Sequence, residues 1–285
     1  MKMHGRVLVI AGSDSGGGAG IQADLKTITA LGGYAASAVT ALTAQDTLGV
    51  HGIHEVPAEF VRQQIEVVLK DLGADAIKIG MVRRAEIIEA VADAIEALAP
   101  DAPLVVDPVM VAKGGARLLD PKASHALKAR LVLRAAVLTP NLPEAEALTG
   151  LKLAEANDLP RAASILLTLG PRAVLLKGGH LPGDAVRDVL VTGDDVEMFE
   201  SPRIITNSTH GTGCTLASAI ATGLAQGLSI RDAVVRARAF VIEALRTAPG
   251  LGRGHGPLNH AFTVGEFPVK NSPGGVQPML SAVAR

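Results

Sequence analysis

Aromatic side chains are nearly missing from this sequence: five Phe, one Tyr and no Trp in 285 residues. With hydrophobic residues at 48%, the core has to be built almost wholly from Ala, Val, Leu and Ile. Cysteine occurs once, at Cys214, which excludes an internal disulfide and any multi-cysteine metal site. Neither sign of charge dominates: 27 Lys and Arg stand against 28 Asp and Glu, without a block of like charge. A nucleic-acid binder shows a basic face, and its single-strand sites offer aromatic platforms. Neither is present, so nucleic acid is not an expected partner. No apolar run approaches the ~18 residues of a membrane span, and the first residues carry no cleavage-type signal. A soluble, cytoplasmic protein is the expectation. The eight histidines lack H-x-x-x-H or H-E-x-x-H spacing, which argues against zinc. His51, His54, His125 and His255 read as surface or loop residues.

What is there alternates. The strand-like run Val7 to Ala11 enters a glycine-rich turn, Gly12 to Gly20, and a helix from Ile21 to Leu31. A β-rich segment, Ala35 to Leu42, precedes a loop with Gln45, Asp46 and two histidines. Pro57 opens a helix whose apolar positions Phe60, Val61, Ile65, Val68 and Leu69 recur at helical spacing. Short buried strands then alternate with helices: Ala76 to Ile79, Leu104 to Val106, Ala136 to Leu138 and Ala173 to Leu176, separated by helices at Ala85 to Leu98, Ser124 to Leu133, near Pro143, and Leu159 to Leu169. Val186 to Thr192 and Val196 to Phe199 read as a late β-hairpin, and helices Gly213 to Gln226 and Ile230 to Ala248 follow. Strands spaced in this way predict an α/β fold with a mostly parallel sheet covered on both faces. In open α/β sheets, ligands sit beyond the carboxyl ends of the strands. Those ends carry Asp14, Gln45, Met81, Asp107, Asn141 with Glu144, and Lys177. Topology alone therefore predicts a site on that rim.

Several local patterns bear on its chemistry. Thr209-His-Gly-Thr-Gly-Cys214 opens into a helix of small residues; free N–H groups and the helix dipole there suit an anion. An ordinary loop-to-helix turn would use the same glycines. Cys214 falls in the first helical turn, where a thiol is either activated by the dipole or simply buried. Gly18-Ala-Gly-Ile-Gln-Ala23 fits the loose dinucleotide pattern G-x-G-x-x-A, which keeps a Rossmann-type NAD-dependent oxidoreductase in view. Against it, Asp14 stands where pyrophosphate would approach. Asp24, one turn into the helix, either points back at a polar ligand or is a solvated surface carboxylate. Asn141 and Glu144, three apart, could face a hydrated Mg2+ or merely cap a helix. Asp107 and Lys177 on the same rim favour the first, as a nucleoside triphosphate with magnesium requires such groups. No G-x-x-x-x-G-K-[ST] is present, so a P-loop enzyme is excluded.

Seven segments together resemble the ribokinase superfamily, and within it the hydroxymethylpyrimidine/phosphomethylpyrimidine kinases of thiamine biosynthesis: Ile10 to Thr27, Thr40 to Asp46, Lys78 to Met81, Val106 to Val109, Leu138 to Ala145, Lys177 to His180 and His210 to Thr215. They follow the family's order over nearly the whole chain. The resemblance implies a ribokinase-like three-layer α/β/α domain, taken as residues 1–265. Residues 266–285, with Pro268, Pro273 and Gly274-Gly275, read from composition as a tail that is loosely ordered or available to a partner. The resemblance also implies two successive ATP- and Mg2+-dependent phosphorylations of 4-amino-5-hydroxymethyl-2-methylpyrimidine. By position, Gly12, Asp24, Thr43, Gln45, Met81 and Val109 would line the pyrimidine pocket. Gly211, Thr212 and Gly213 would bind the transferring phosphoryl group, with Cys214 assisting proton removal. Asn141, Lys177, Thr209 and Thr212 would contact ATP, while Asp107 and Glu144 would position Mg2+. The family also suggests a homodimer. Pyridoxal or pyridoxine kinase activity on the same fold is the alternative. Ser15-Gly16 departs from the Pro-Ser common among relatives.

Overall fold

The computed structural model describes residues 3–265 apart from 112–114, 116, 117 and 194; the expected tail, 266–285, lies outside the described residues. The sheet has nine strands in the order β3-β2-β1-β4-β5-β6-β7-β8-β9. They are β1 (Arg6–Asp14), β2 (Tyr34–Gln45), β3 (Val50–Glu55), β4 (Ala76–Ile79), β5 (Leu104–Val106), β6 (Ala135–Leu138), β7 (Ala173–Lys177), β8 (Ala185–Thr192) and β9 (Asp195–Pro202). The pairings from β2 through β7 are parallel, whereas those of β2 with β3, β7 with β8 and β8 with β9 are antiparallel.

Side-chain alternation divides the core in two, as the twofold period of a strand requires. On β1, Leu8 and Ile10 face one layer while Val7, Val9 and Ala11 face the other. On β7, Val174 and Leu176 oppose Ala173 and Leu175 in the same way. The first layer holds α2 (Ala58–Asp71), α3 (Ala85–Leu98), α5 (Leu142–Thr149) and α6 (Asp158–Leu167). The second holds α1 (Gly20–Ala30), α7 (Thr212–Ala225) and α8 (Ile230–Arg246). The expected three-layer α/β/α fold with a late hairpin is what forms. Small residues make α7 its central helix: every residue from Thr215 to Gly223 is buried.

The differences from expectation are local. β3 forms where a loop was expected. It is a polar edge strand with few buried side chains, so no apolar alternation announces it. β1 and β2 run three residues further than the apolar runs, because Ser13 and Asp14 pair with Leu42 and Thr43 past an irregularity. That extension carries Thr43 and Gln45 to the rim. The helix expected at Ser124 to Leu133 is composite: a 3-10 turn (Pro121–Ala123), one α turn, α4 (Ser124–Ala126), and a π turn (Leu127–Val132). Phe60, counted on the buried face of α2, is instead exposed.

After α8 the chain returns across α7. His260 is buried there with Nε2 2.8 Å from Thr215 Oγ1, and Phe262 rests on Phe240 with ring centroids 4.9 Å apart. Burial, with Lys26 nearby, lowers the His260 pKa to about 4. The unfolded chain therefore binds this proton more readily, and stability present above pH ~6.5 is lost as the pH falls toward 4. The difference is on the order of 3 kcal/mol. Urea denaturation of His260→Asn between pH 6.5 and 4 is expected to show a shallower loss of stability than the parent protein.

Candidate active site

The carboxyl ends of the parallel strands open into a cleft of about 750 Å³. Its lining includes every residue expected there except Asp24: Gly12, Thr43, Gln45, Met81, Asp107, Val109, Asn141, Glu144, Lys177, and the turn from Thr209 to Cys214. The strands deliver these side chains because a parallel sheet places all its carboxyl ends on one edge.

At the amino end of α7, Gly211 caps the helix in the left-handed region, φ +83°. A Cβ on it would collide with the Gly18 carbonyl, so the α7 turn and the first glycine turn interlock only through glycine. The leading N–H groups of α7 have no acceptors within the helix, and Gly213 presents bare backbone to the cleft. A Cβ at Gly213 would stand 3.2 Å from Lys177 Nζ and 3.4 Å from Asp107 Oδ2. Lys177 Nζ donates to Asp107 Oδ1 at 2.9 Å, and Thr139 Oγ1 donates to the same oxygen at 3.2 Å. Burial opposes the Lys177 charge, but Asp107 and Glu144 outweigh it and raise its pKa. An ammonium, a helix amino terminus and exposed glycine backbone thus converge on one point. Such a convergence makes a cradle suited to an anion such as a phosphoryl group.

Asn141 and Glu144 form a capping box on α5: Asn141 Oδ1 accepts from Glu144 N at 3.0 Å, and Glu144 Oε2 from Asn141 N at 2.8 Å. The capping role and the rim position coexist, since both residues also line the cleft. Burial raises the Glu144 carboxyl to about 7 against the pull of Lys177, and the charge of Asp107 adds to the rise. The two carboxylates thus lie close enough to repel, and a cation between them would relieve the repulsion.

Two expectations need correction. Asp24 neither lines the pocket nor faces solvent; it is wholly buried behind the wall. Lys78 Nζ binds both its oxygens at 3.0 and 2.9 Å, and Ser218 Oγ donates to Oδ1 at 2.6 Å. Burial would lower the Lys78 pKa, but the charges of Asp24 and Asp107 prevail and raise it. Cys214, where helix-dipole activation was one reading, is held as a thiol: burial pushes it up to about 11 despite Lys78.

The pyrimidine-side expectations converge better. Met81, Ala41 and Leu118 form a small apolar cluster with Val109 against it. Gly12 leaves room for the Met81 methyl, since a Cβ there would strike Met81 Cε. Gln45 stands beside Thr43 and His210. Sequence reasoning assigned no role to His210, to Lys78, or to the pair Asp188 and Arg238 on the far wall, where Arg238 Nε donates to Asp188 Oδ2 at 2.8 Å. For Lys78 a signal existed, because a lysine inside a four-residue buried strand demands a buried partner.

The first glycine turn also settles the dinucleotide alternative. Asp14 fills it with its own carboxylate, accepting from the N–H groups of Gly16, Gly18 and Ala19 at 2.8, 3.0 and 2.8 Å. Those donors would have to be free to hold a pyrophosphate. Although β3-β2-β1-β4-β5-β6 matches the Rossmann numbering, β3 is antiparallel to β2, so the first βαβαβ half that would bind the dinucleotide is not formed. The Rossmann reading falls.

A phosphoryl-transferring enzyme of ribokinase-like architecture is the class that this sheet and its cradle define. The chain's likenesses are narrower. A family model described as phosphomethylpyrimidine kinase matches residues 14–259. The hydroxymethylpyrimidine/phosphomethylpyrimidine kinase of Streptomyces coelicolor is 50% identical over 260 residues, covering 91% of this chain and 96% of that one. The thiamine biosynthesis bifunctional protein ThiED of Geobacter sulfurreducens is 55% identical over 258 residues, which are 90% of this chain but 52% of that protein; the chain spans about half its length. Among solved structures, phosphomethylpyrimidine kinase from Clostridium difficile 630 matches with a TM-score of 0.75 and 43% identity over 84% of this chain and 99% of that one. Pyridoxal kinase from Staphylococcus aureus in complex with AMP-PCP and pyridoxal matches with a TM-score of 0.83 and 37% identity, over 90% and 93%. The chain belongs to the phosphomethylpyrimidine kinase family.

A raised thiol pKa makes a direct prediction. Because Cys214 is the only cysteine, alkylation reports on it alone. The iodoacetamide rate is expected to be slow at pH 7 to 8 and to climb about tenfold per pH unit below the thiol pKa. A plateau reached by pH 8 would contradict a thiol held near 11.

Proposed function

We propose that this enzyme transfers the γ-phosphoryl group of ATP to the hydroxymethyl group of 4-amino-5-hydroxymethyl-2-methylpyrimidine, then phosphorylates the monophosphate to the diphosphate, in thiamine biosynthesis. One observation carries the reading: a single cleft joins the Gln45, Met81 and Val109 wall to the cradle at Gly213, with Lys177 beside it. The hydroxymethyl oxygen of a ring held on that wall would be directed at a phosphoryl group in the cradle. ATP use is supported by the AMP-PCP complex of the related pyridoxal kinase.

In this reading the N–H groups of Gly213 and Cys214 stabilise charge developing on the phosphoryl oxygens, and Lys177 balances the phosphates. Asp107 and Glu144 would hold Mg2+ together with water and phosphate oxygens, a donor set that ion accepts. Among the described residues no cluster of three or more His, Cys, Asp or Glu could hold a metal, which suits a cation shared with the nucleotide rather than caged by protein. Bound there, Mg2+ would neutralise phosphate charge. Glu144 has to be ionised to serve, so metal affinity should weaken as the pH falls below about 7. As a thiol, Cys214 is not a ready-made base. It would hydrogen-bond the hydroxymethyl oxygen, whose proton would leave late, to the transferred phosphoryl oxygens or to water, as a loose phosphoryl-transfer transition state permits.

The enzyme would act in the cytoplasm. A homodimer is part of the same proposal: Leu42 on β2 and Leu48 before β3 are 49% and 57% exposed, and a second subunit would cover them. Among the described residues, no helix is long and apolar enough to cross a membrane. Pyridoxal phosphorylation is the second reading, favoured by the 0.83 TM-score to a pyridoxal kinase. Identity ranks the other way, at 50% to the pyrimidine kinase and 37% to the pyridoxal kinase.

Purified protein with ATP, Mg2+ and hydroxymethylpyrimidine should yield the monophosphate and then the diphosphate, and should turn pyridoxal over more slowly. No pyrimidine turnover would overturn the reading. Gly213→Asp would place a carboxylate between Lys177 and the phosphoryl site, and turnover should fall by ~10³-fold. Its melting temperature should fall only modestly, since the first helical turn favours an acid although its Cβ would stand 3.4 Å from Asp107 Oδ2. Normal turnover by Gly213→Asp would show that the cradle is elsewhere.

A further inference from the structure

Gln45 meets two neighbours whose own bonding leaves it little choice. Asp14 Oδ2 lies 2.8 Å from His210 Nε2 and also accepts from Gly18 and Ala19. Burial alone would raise the Asp14 carboxyl, but the bonds from His210, Ala19 and Gly16 hold it below the usual range. It is therefore an acceptor only, and His210 Nε2 must carry a hydrogen. The amide nitrogen of Gln45 stands 3.2 Å from that same Nε2. Its nitrogen facing the ring sets donor against donor; its oxygen there would share, in a three-centre bond, the hydrogen that Nε2 gives Asp14. At the other end Thr43 Oγ1 has one hydrogen, directed to the Ser13 carbonyl at 2.9 Å. The Gln45 oxygen stands 3.1 Å from the same Oγ1, but with its hydrogen on Ser13 Thr43 can only accept, which again favours the amide turned over, nitrogen toward Thr43. An amide has nearly the same shape either way round, and bonding arithmetic decides between them.

We infer that His210, set by Asp14, is a positioning residue that locks the Gln45 amide with its oxygen toward His210 and its nitrogen toward Thr43, and so fixes which ring edge the pocket accepts. This rests on the pyrimidine reading above. The free edge of Gln45 then offers an acceptor on the side of the cradle, since His210 directly precedes Gly211, and a donor on the far side. The substrate's amino group lies between its ring nitrogen and the carbon bearing the hydroxymethyl group. Pairing amino to oxygen and ring nitrogen to N–H points the hydroxymethyl group toward the cradle. The reversed amide would favour a ring with N–H and carbonyl in those places. His210 is itself anchored: its N–H donates to Gly256 O at 3.0 Å, and Gly18 packs on it so closely that a Cβ there would come within 2.5 Å of His210 Cδ2.

The test compares kcat/KM for hydroxymethylpyrimidine with that for its 4-oxo analogue, in which the amino group is replaced by a carbonyl. The parent enzyme should prefer the amino ring by about 100-fold or more, since a site built to hydrogen-bond a group rejects its mismatch strongly. His210→Phe frees the amide to turn over, so that preference should shrink at least tenfold while KM for ATP stays within about twofold. An unchanged preference in His210→Phe overturns the inference, because a residue with only a structural role would lower both activities together. A second arm needs no substitution: long-range 1H–15N spectra of the parent protein should show a hydrogen on His210 Nε2 at neutral pH, and a bare Nε2 would also overturn it. If the parent enzyme phosphorylates neither pyrimidine, the substrate reading fails, while the ring spectrum still decides whether His210 can hold the amide as inferred.

Discussion

A single buried ion pair underlies the geometry of the cleft. Lys78 on β4 and Asp24 on α1 are both fully buried, and Ser218 on α7 closes the triangle. Removing two charges from water is costly, and only good geometry with further hydrogen bonds offsets it. What the pair does is join three elements, each of which starts or ends a functional turn. The first glycine turn precedes α1, the Gly80–Met81 turn follows β4, and the cradle precedes α7. Gly80 is confined by the same pair, since a Cβ on it would stand 2.9 Å from Lys78 Nζ and from Ala11 Cβ. Shifting the pair would shift all three turns.

Charge in the cleft is balanced around that pair. Lys78 and Lys177 both remain charged despite burial because carboxylates surround them. The thiol of Cys214 sits among Lys78, Asp24 and Asp107 and stays protonated. Burial holds the Glu144 carboxyl up to about 7, so it adds its charge beside Asp107 only as the pH approaches 7. Cations held in place beside a neutral thiol and open glycine backbone favour an incoming polyphosphate.

Sequence periodicity revealed the sheet and therefore its rim, because buried parallel strands are apolar runs that end where polar groups begin. That is why Gln45, Asp107, Asn141 and Lys177 are legible as rim residues in the sequence, and why they line one cleft. Contacts between distant positions left no such trace. Asp24 and Lys78 are 54 positions apart, and Asp14 and His210 are 196 apart. Asp24 read alone resembles a surface carboxylate, and only the three-dimensional packing shows the lysine opposite it. β3 escaped notice because an edge strand with exposed faces has no hydrophobic pattern to show. The scarcity of aromatics proves to be a property of the site as well as of the core. The cleft lining among the described residues has no Phe, Tyr or Trp, so flat rings there must be gripped by aliphatic walls, guanidinium groups and hydrogen bonds.

The claim that the buried pair sets the register of the catalytic turns is tested most directly by a double-mutant cycle on Lys78→Met and Asp24→Leu, reading stability and turnover together. Each single variant leaves one buried charge unpaired and should cost about 3–5 kcal/mol. The double variant should regain most of that stability yet remain at least tenfold slower in pyrimidine phosphorylation, because the turns have lost their common anchor. A double variant as stable and as fast as the parent enzyme would contradict the account.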